Sequence, residues 1–229
     1  MEKLIYENPL SSPDDVKDWI MEGTAKITFP NNKMVMESVL DASHGQAANF
    51  VFWCDRKMPD NIKIEWDFKP LSEEGLAILF FAANGKDGKD LFDISLEKRT
   101  GPYIQYHSGD INAFHVSYYR RSETDEMELN VANLRKSKGF YLVAQGADPI
   151  PAAKYVSDNP YHLTVLKTTD TVTFLINGIE IFKYNDDNIS AGKYLTDGYI
   201  GFRQKTPLIG EYSNLKVYEM RCNLWSLKK

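Results

Sequence analysis

Apolar and polar residues alternate with a period of two along much of the chain. Over residues 62–69 the even positions Ile62, Ile64, Trp66 and Phe68 are apolar, and the odd positions Lys63, Glu65, Asp67 and Lys69 are charged. That pattern predicts a half-buried strand with one wet face. Residues 76–83 (LAILFFAA) form a continuous apolar run bounded by Gly75 and Asn84-Gly85, as expected of a central strand covered on both faces. Tyr161, Leu163 and Val165 alternate, as do Val172, Phe174 and Ile176. Asn177-Gly178 then supplies the two positive-φ positions of a type I′ turn, and Ile179-Glu180-Ile181-Phe182 returns as the second arm of a hairpin. Further strands are predicted at 33–40, 49–54, 113–121, 140–144, 199–204 and 211–218.

Helical signal is scarce. Ser12-Pro13-Asp14-Asp15 reads as an N-cap, a proline at the first helical position and an acidic first turn, opening a short helix through Trp19. Residues 149–155 offer another turn or two. Many strands, one or two short helices and no repeat predict an all-β antiparallel jelly-roll sandwich. With no break in composition across its 229 residues, the chain reads as a single β-sandwich domain over 1–229.

Composition narrows the function classes. Apolar residues at 43% and charged residues at 26% exclude a disordered or fibrous chain. Lys+Arg 27 against Asp+Glu 32 gives a net charge of −5. This argues against a nucleic-acid backbone or an anionic membrane as the main partner. Cys54 and Cys222 match no metal spacing and read as two reduced thiols, with a single disulfide as the alternative. MEKLIYENPL holds no signal-peptide run, and no stretch reaches the ~20 apolar residues that span a bilayer. Taken as the native start, it predicts a soluble cytoplasmic protein.

Candidate chemistry concentrates between Gly85 and Arg121. This long segment has little strand periodicity at first and carries His107, Asp110, Asn112 and His115; loops of this length in compact domains are usually functional. Strand alternation from Ala113 sends Phe114, Val116 and Tyr118 one way and His115, Ser117 and Tyr119 the other. His115 and Tyr119 are then an acid–base pair on an open sheet face, or simply amphipathic residues on a wet one. On the first reading His115→Ala removes function with little change in stability.

Glu65 and Asp67 share a face at i and i+2 and offer the paired carboxylates of glycoside hydrolysis. Lys63 and Lys69 on the same face offer the plainer reading of an ion-paired strand. Arg120-Arg121 at the end of the His115 strand, Arg135 and Arg203, with Gln204 and Asn112, suit recognition of a sugar carboxylate. Trp53, Tyr106 and Tyr119 suit ring stacking. Asn84, Asp87 and Asp90, and separately Asp186-Asp187-Asn188, are oxygen donors of the kind Ca²⁺ takes, although such residues populate loops anyway. No cofactor motif, zinc motif, phosphate loop or Gly-x-Ser-x-Gly elbow is present.

Several longer motifs carry a family resemblance. They are Arg99-Thr100-Gly101, the run from Tyr106 to Ala113 (YHSGDINA), Asn133-Leu134-Arg135-Lys136-Ser137, Gly146-Ala147-Asp148-Pro149 and Gly201-Phe202-Arg203-Gln204. Together they resemble the YesU-like family over nearly the whole chain, from Asn8 to about Tyr218, with the tail 219–229 outside. The resemblance implies a concanavalin A-like lectin/glucanase sandwich and an association with bacterial loci that degrade rhamnogalacturonan. It carries over no catalytic residue.

The reading that follows is a protein binding an acidic oligosaccharide in a concave sheet face, with cleavage by a lyase or a hydrolase left open. In the lyase version His115 or Tyr119 takes a proton while Arg203, Gln204 or Asn112 offsets the uronate charge. In the hydrolase version Glu65, Asp67 or Asp110 supplies acid and base. The alternative is a non-catalytic lectin-like protein. No resident metal is expected, and oligomeric state is left open.

Overall fold

A computed structural model describes residues 2–121, 130–156 and 158–220. Among these the chain forms fifteen strands: β1 (Glu2–Asn8), β2 (Ile20–Glu22), β3 (Ala25–Thr28), β4 (Met34–Ser38), β5 (Phe50–Met58), β6 (Ile62–Pro70), β7 (Gly75–Gly85), β8 (Ile111–Arg121), β9 (Val131–Ser137), β10 (Tyr141–Ala147), β11 (Tyr161–Lys167), β12 (Thr171–Ile176), β13 (Ile179–Asn185), β14 (Gly198–Lys205) and β15 (Gly210–Met220). They build two antiparallel sheets. The front sheet runs β10-β9-β8-β7-β14-β5-β2; the back sheet runs β13-β12-β11-β6-β15-β4-β3, with β1 paired to β15.

The alternation read in residues 62–69 decides the packing. Ile64, Trp66 and Phe68 of β6 are fully buried and meet the inner face of the front sheet. Trp66 lies 5.5 Å from Tyr118 and 6.2 Å from Phe202, and Phe68 lies 5.1 Å from Tyr118, between ring centroids. Such offset and edge-on aromatic pairs add ~0.5–1.5 kcal/mol each beyond their buried area. The 172–182 hairpin forms as read, with Asn177 at φ 50° and Gly178 at φ 77°.

Strands β1, β2, β3 and β9 lack a clean apolar alternation. In β9 the inward row is Ala132, Leu134 and Lys136. Lys136 is 1% exposed and donates to Asp186 at 2.6 Å, so a buried ion pair sits where the pattern demands an apolar residue. The helix read at 12–19 shrinks to one 3-10 turn, Pro13–Val16. The other turn occupies Ala153–Tyr155, and a four-residue helix α1, Ile104–His107, stands inside the long segment read as a loop. Cys54 is buried and carries a free thiol, while Cys222 lies outside the described residues. Among the described residues no helix is long and apolar enough to cross a membrane.

Candidate functional site

The outer face of the front sheet is readable row by row from the strand register. One row runs Arg135 (β9), His115 (β8), Phe80 (β7), Gly201 (β14) and Trp53 (β5); the next runs Asn133, Ser117, Ile78, Arg203 and Val51. Gly201 is required in the first row, because a Cβ there would run into the Trp53 indole. His115 and Arg203 therefore share one face, two strands and one row apart.

Segment 85–110 lies over half of this face. Its own Leu91 and Tyr106 are buried, joining Trp53, Ile78 and Phe80 in an outer cluster separate from the main core. Its polar anchors are specific. Arg99 makes a two-pronged bond to Glu22 at 3.1 and 2.7 Å, and Trp53 donates its indole N–H to the same carboxylate at 2.9 Å. Gly101, at φ +120°, presses its Cα against the Asn49 carbonyl, where no side chain fits.

Beside this cover a cavity of about 220 Å³ remains open. Its floor is Ile78, His115, Ser117 and Asn133, and its walls include Tyr103, Phe140, Arg120, Arg135 and Lys205. Among the described residues no Asp or Glu lines it. A larger cavity of about 470 Å³ lies at the edge strand β2, lined by Ile20, Met21, Leu91, Phe92, Ile94 and Leu96. The buried polar groups at its base, Glu22 and Arg99, already satisfy each other, and Asp93, Glu97 and Lys98 complete its lining.

His115 is 1% exposed. Its ring stacks on Phe80 at 5.2 Å, Nδ1 lies 2.7 Å from the Tyr103 hydroxyl, and Nε2 lies 2.8 Å from the Ser137 hydroxyl. Burial, reinforced by Arg135, holds the imidazole well below its ordinary range, so it is neutral. Burial likewise pushes the Tyr103 phenol up to about 12. His107 flanks the cavity, edge-on to Tyr103 at 5.0 Å and 4.1 Å from Phe140, and it too is lowered by burial. Arg135 lies 3.9 Å over the Phe140 ring and donates to that residue's carbonyl at 3.0 Å.

Arg203 is 2% exposed and sits under the cover rather than in the cavity. Its guanidinium lies 4.8 Å from the Tyr103 ring and 5.1 Å from the Tyr106 ring, and donates to the Gly101 carbonyl at 2.6 Å. Burial brings it down to about 10, so it still carries its charge at neutral pH.

The structure corrects several expectations. Tyr119 does not stand beside His115. A bulge opposite Leu76 and Ala77 makes it the extra residue, with φ 50°. Its ring joins the core against Phe68 at 6.0 Å, and its hydroxyl donates to the Ser72 and Glu73 carbonyls. The same bulge reverses the parity, so Arg120 rather than Tyr119 reaches the cavity wall. Gln204, one residue from Arg203, points inward to the Tyr212 hydroxyl at 3.0 Å.

Trp53 and Tyr106 are fully buried beneath the cover and offer no open stacking surface. Arg121 is held by Asp148 at 2.8 Å and by the Ile150 carbonyl. Asp110 is held by Lys86 at 2.8 Å, which lowers its carboxyl, and it accepts from the Glu97 amide at 3.2 Å; these bonds close the base of the loop. Asn112 accepts from the Lys138 amide at 3.3 Å, outside the cavity.

Glu65 and Asp67 stand on the outer face of the other sheet. There Lys63 bridges Glu65 at 3.1 Å, and His162 lies 2.8 Å from Asp67. Of the oxygens considered for Ca²⁺, the Asp186 carboxylate is engaged by Lys136 and the Asp187 carboxylate by Ser190 and two backbone amides.

Strand alternation puts Ser117 on the His115 face and Arg120 stands with Arg121 at the strand's end; the polar and aromatic cavity residues that sequence reasoning missed are Gln46, Tyr103, Asn133, Phe140 and Lys205. The Gly101-Pro102 turn just before Tyr103 was the one local signal available for any of them.

Residues 3–217 match the family described as Domain of unknown function (DUF1961). The chain is 47% identical over 215 residues to the uncharacterized protein YesU of Bacillus subtilis (strain 168), covering 94% of this chain and 95% of that one. A crystal structure of a protein of unknown function with a galectin-like fold from Bacillus subtilis superimposes with a TM-score of 0.89 at 47% identity, over 95% of this chain and 96% of that one. The carbohydrate binding module CBM66 from Bacillus subtilis shares the sandwich with a TM-score of 0.53 at 13% identity, over 86% and 93%.

Proposed function

This chain belongs to the DUF1961 family, and from that premise we propose that it binds an acidic saccharide in the front-sheet cavity, with a rhamnogalacturonan fragment as the natural candidate. The observation that carries the reading is the cavity's charge: Arg120, Arg135 and Lys205 line it, Arg203 lies beneath Tyr103, and among the described residues no carboxylate lines it. In a protein of net charge −5, the three cations lining this aromatic-walled recess select an anion there. Tyr103 and Phe140 supply ring faces for the apolar side of a sugar, while Ser117, Asn133 and Gln46 supply hydroxyl partners.

At about 220 Å³ the recess is smaller than the ~300–1,000 Å³ of drug-sized sites, which suits one sugar ring with its neighbours outside. The sandwich shared with a carbohydrate binding module supports the same reading. Among the described residues the cavity holds no pair of carboxylates for hydrolysis.

Calorimetric titration with rhamnogalacturonan oligosaccharides and with their carboxyl-reduced counterparts tests the proposal. The acidic form binds at least about tenfold more tightly, and Arg135→Ala removes that preference by loss of a charge-assisted bond. Added salt weakens binding of the acidic form alone. Equal affinity for both forms, or no binding, overturns the reading. New reducing ends, or ultraviolet absorbance from a new C4=C5 double bond, would replace binding with hydrolysis or elimination.

A further inference from the structure

We infer that Tyr103, His115 and Ser137 form a directional hydrogen-bond relay by which the cavity distinguishes a carboxylate from a neutral hydroxyl. The inference rests on the saccharide reading above and assigns two further roles: Tyr103 touches the ligand's anionic group, and His115 is the residue that positions it.

The geometry leaves the relay few options. His115 is 1% exposed and clamped by the Phe80 ring, with Tyr103 Oη at 2.7 Å on one nitrogen and Ser137 Oγ at 2.8 Å on the other. A neutral imidazole has one donor nitrogen and one acceptor nitrogen. Two arrangements follow. In the first, Ser137 donates to Nε2, Nδ1–H donates to the Tyr103 oxygen, and the Tyr103 O–H is released toward the cavity. In the second, Tyr103 donates to Nδ1 and Nε2–H donates to Ser137, so Tyr103 presents only a lone pair.

A carboxylate accepts and never donates, so it is compatible with the first arrangement alone. A neutral sugar hydroxyl donates or accepts and serves either. The charged surroundings favour the anion. Arg135 and Arg120 stand on the cavity wall, and Arg203 lies 4.8 Å from the Tyr103 ring, drawing electron density from the phenol and strengthening it as a donor. The relay thus turns the burial of a histidine, which on an open sheet face would titrate freely, into a fixed donor aimed at an anion.

The imidazole nitrogens of His115 report the relay directly. In nitrogen NMR of the wild-type protein saturated with digalacturonate, Nδ1 carries the proton and Nε2 is bare. Ser137→Ala removes the donor to Nε2, moves the proton there, and reduces the preference for digalacturonate over its carboxyl-reduced counterpart. Tyr103→Phe weakens digalacturonate binding about tenfold or more, the size of a lost bond to a charged group, and changes binding of the carboxyl-reduced counterpart less than about threefold.

An Nε2–H tautomer in the digalacturonate complex overturns the relay, and so does a Tyr103→Phe protein that binds digalacturonate as the wild type does. Either result leaves the saccharide reading standing. Failure of the wild type to bind digalacturonate at all removes the relay, and the saccharide reading falls with it when the rhamnogalacturonan oligosaccharides also fail to bind. The tautomer measurement uses the wild-type protein, so it decides even if a variant fails to fold.

Discussion

The outer faces of the two sheets are built from the same alternating strands and have opposite electrostatic characters. On the back sheet the charged row of β6 is open to water: Lys63 bridges Glu65 and Glu2, and Asp67 is shared by His162 and Asn214. Each charge finds a polar partner near the surface, where such pairs contribute ~0–1 kcal/mol. On the front sheet segment 85–110 covers half the face and shields what remains. There His115 is neutral, Arg203 is charged and buried, and among the described residues the cations around the cavity have no acidic partner on its walls. A charge becomes selective when burial strengthens its field and nothing nearby cancels it.

The sharpest way to break this contrast is to remove the cover's foundation. Trp53→Ala takes away the fully buried ring on which Phe80, Phe92 and Tyr106 pack, and it leaves Glu22 short of one donor. A loss of about 3–5 kcal/mol is expected in a denaturant titration. A loss below about 1 kcal/mol would mean that Trp53 is the open stacking residue its sequence position suggested.

Next in size is His115→Ala, expected to cost about 2–4 kcal/mol, because it leaves a hole against Phe80 and strands the Tyr103 and Ser137 hydroxyls. This reverses the expectation of a wet-face histidine whose loss leaves stability alone. The pH profile sharpens the point. A folded-state value well below 6.5 means that the unfolded chain binds a proton the native chain refuses. Stability contributed in this way is fully present above about pH 6.5 and is lost as the pH falls below it. His115→Gln flattens that slope in melts taken at successive pH values; an unchanged slope would assign it to another group.

The smallest effects belong to the back sheet. Glu65→Gln and Asp67→Asn each change stability by no more than about 1 kcal/mol and leave saccharide titrations unaltered. A loss of ligand binding in either variant would move the site to the other face of the molecule.

Much of the architecture was legible from local pattern. The alternation in β6, the apolar run of β7 and the Asn177-Gly178 turn each fix a strand through its own residues, and many such strands with few helices imply a sandwich. The strands that escaped are those whose inward residues are polar, as in β9, where the need for Asp186 beside Lys136 is not written near position 136. The site was legible only in part. His115, Arg120 and Arg135 were named and do line the cavity, Arg120 by way of a bulge, whereas Tyr103, Phe140 and Lys205 reach it from loops and a strand end.

The sequence by itself determined which residues form strands and, within each strand, which side chains are on opposite sides, because a period of two is a property of the local backbone. Tertiary structure decided which side faces the core and which side the solvent, and how that solvent side is covered. A one-residue bulge exchanged Tyr119 for Arg120 at the cavity. A loop anchored by Arg99 to Glu22, far away in sequence, turned Trp53, Tyr106 and Arg203 from surface groups into buried ones. Parity and exposure depend on pairing partners and covering segments distant along the chain, and no local window of residues contains them.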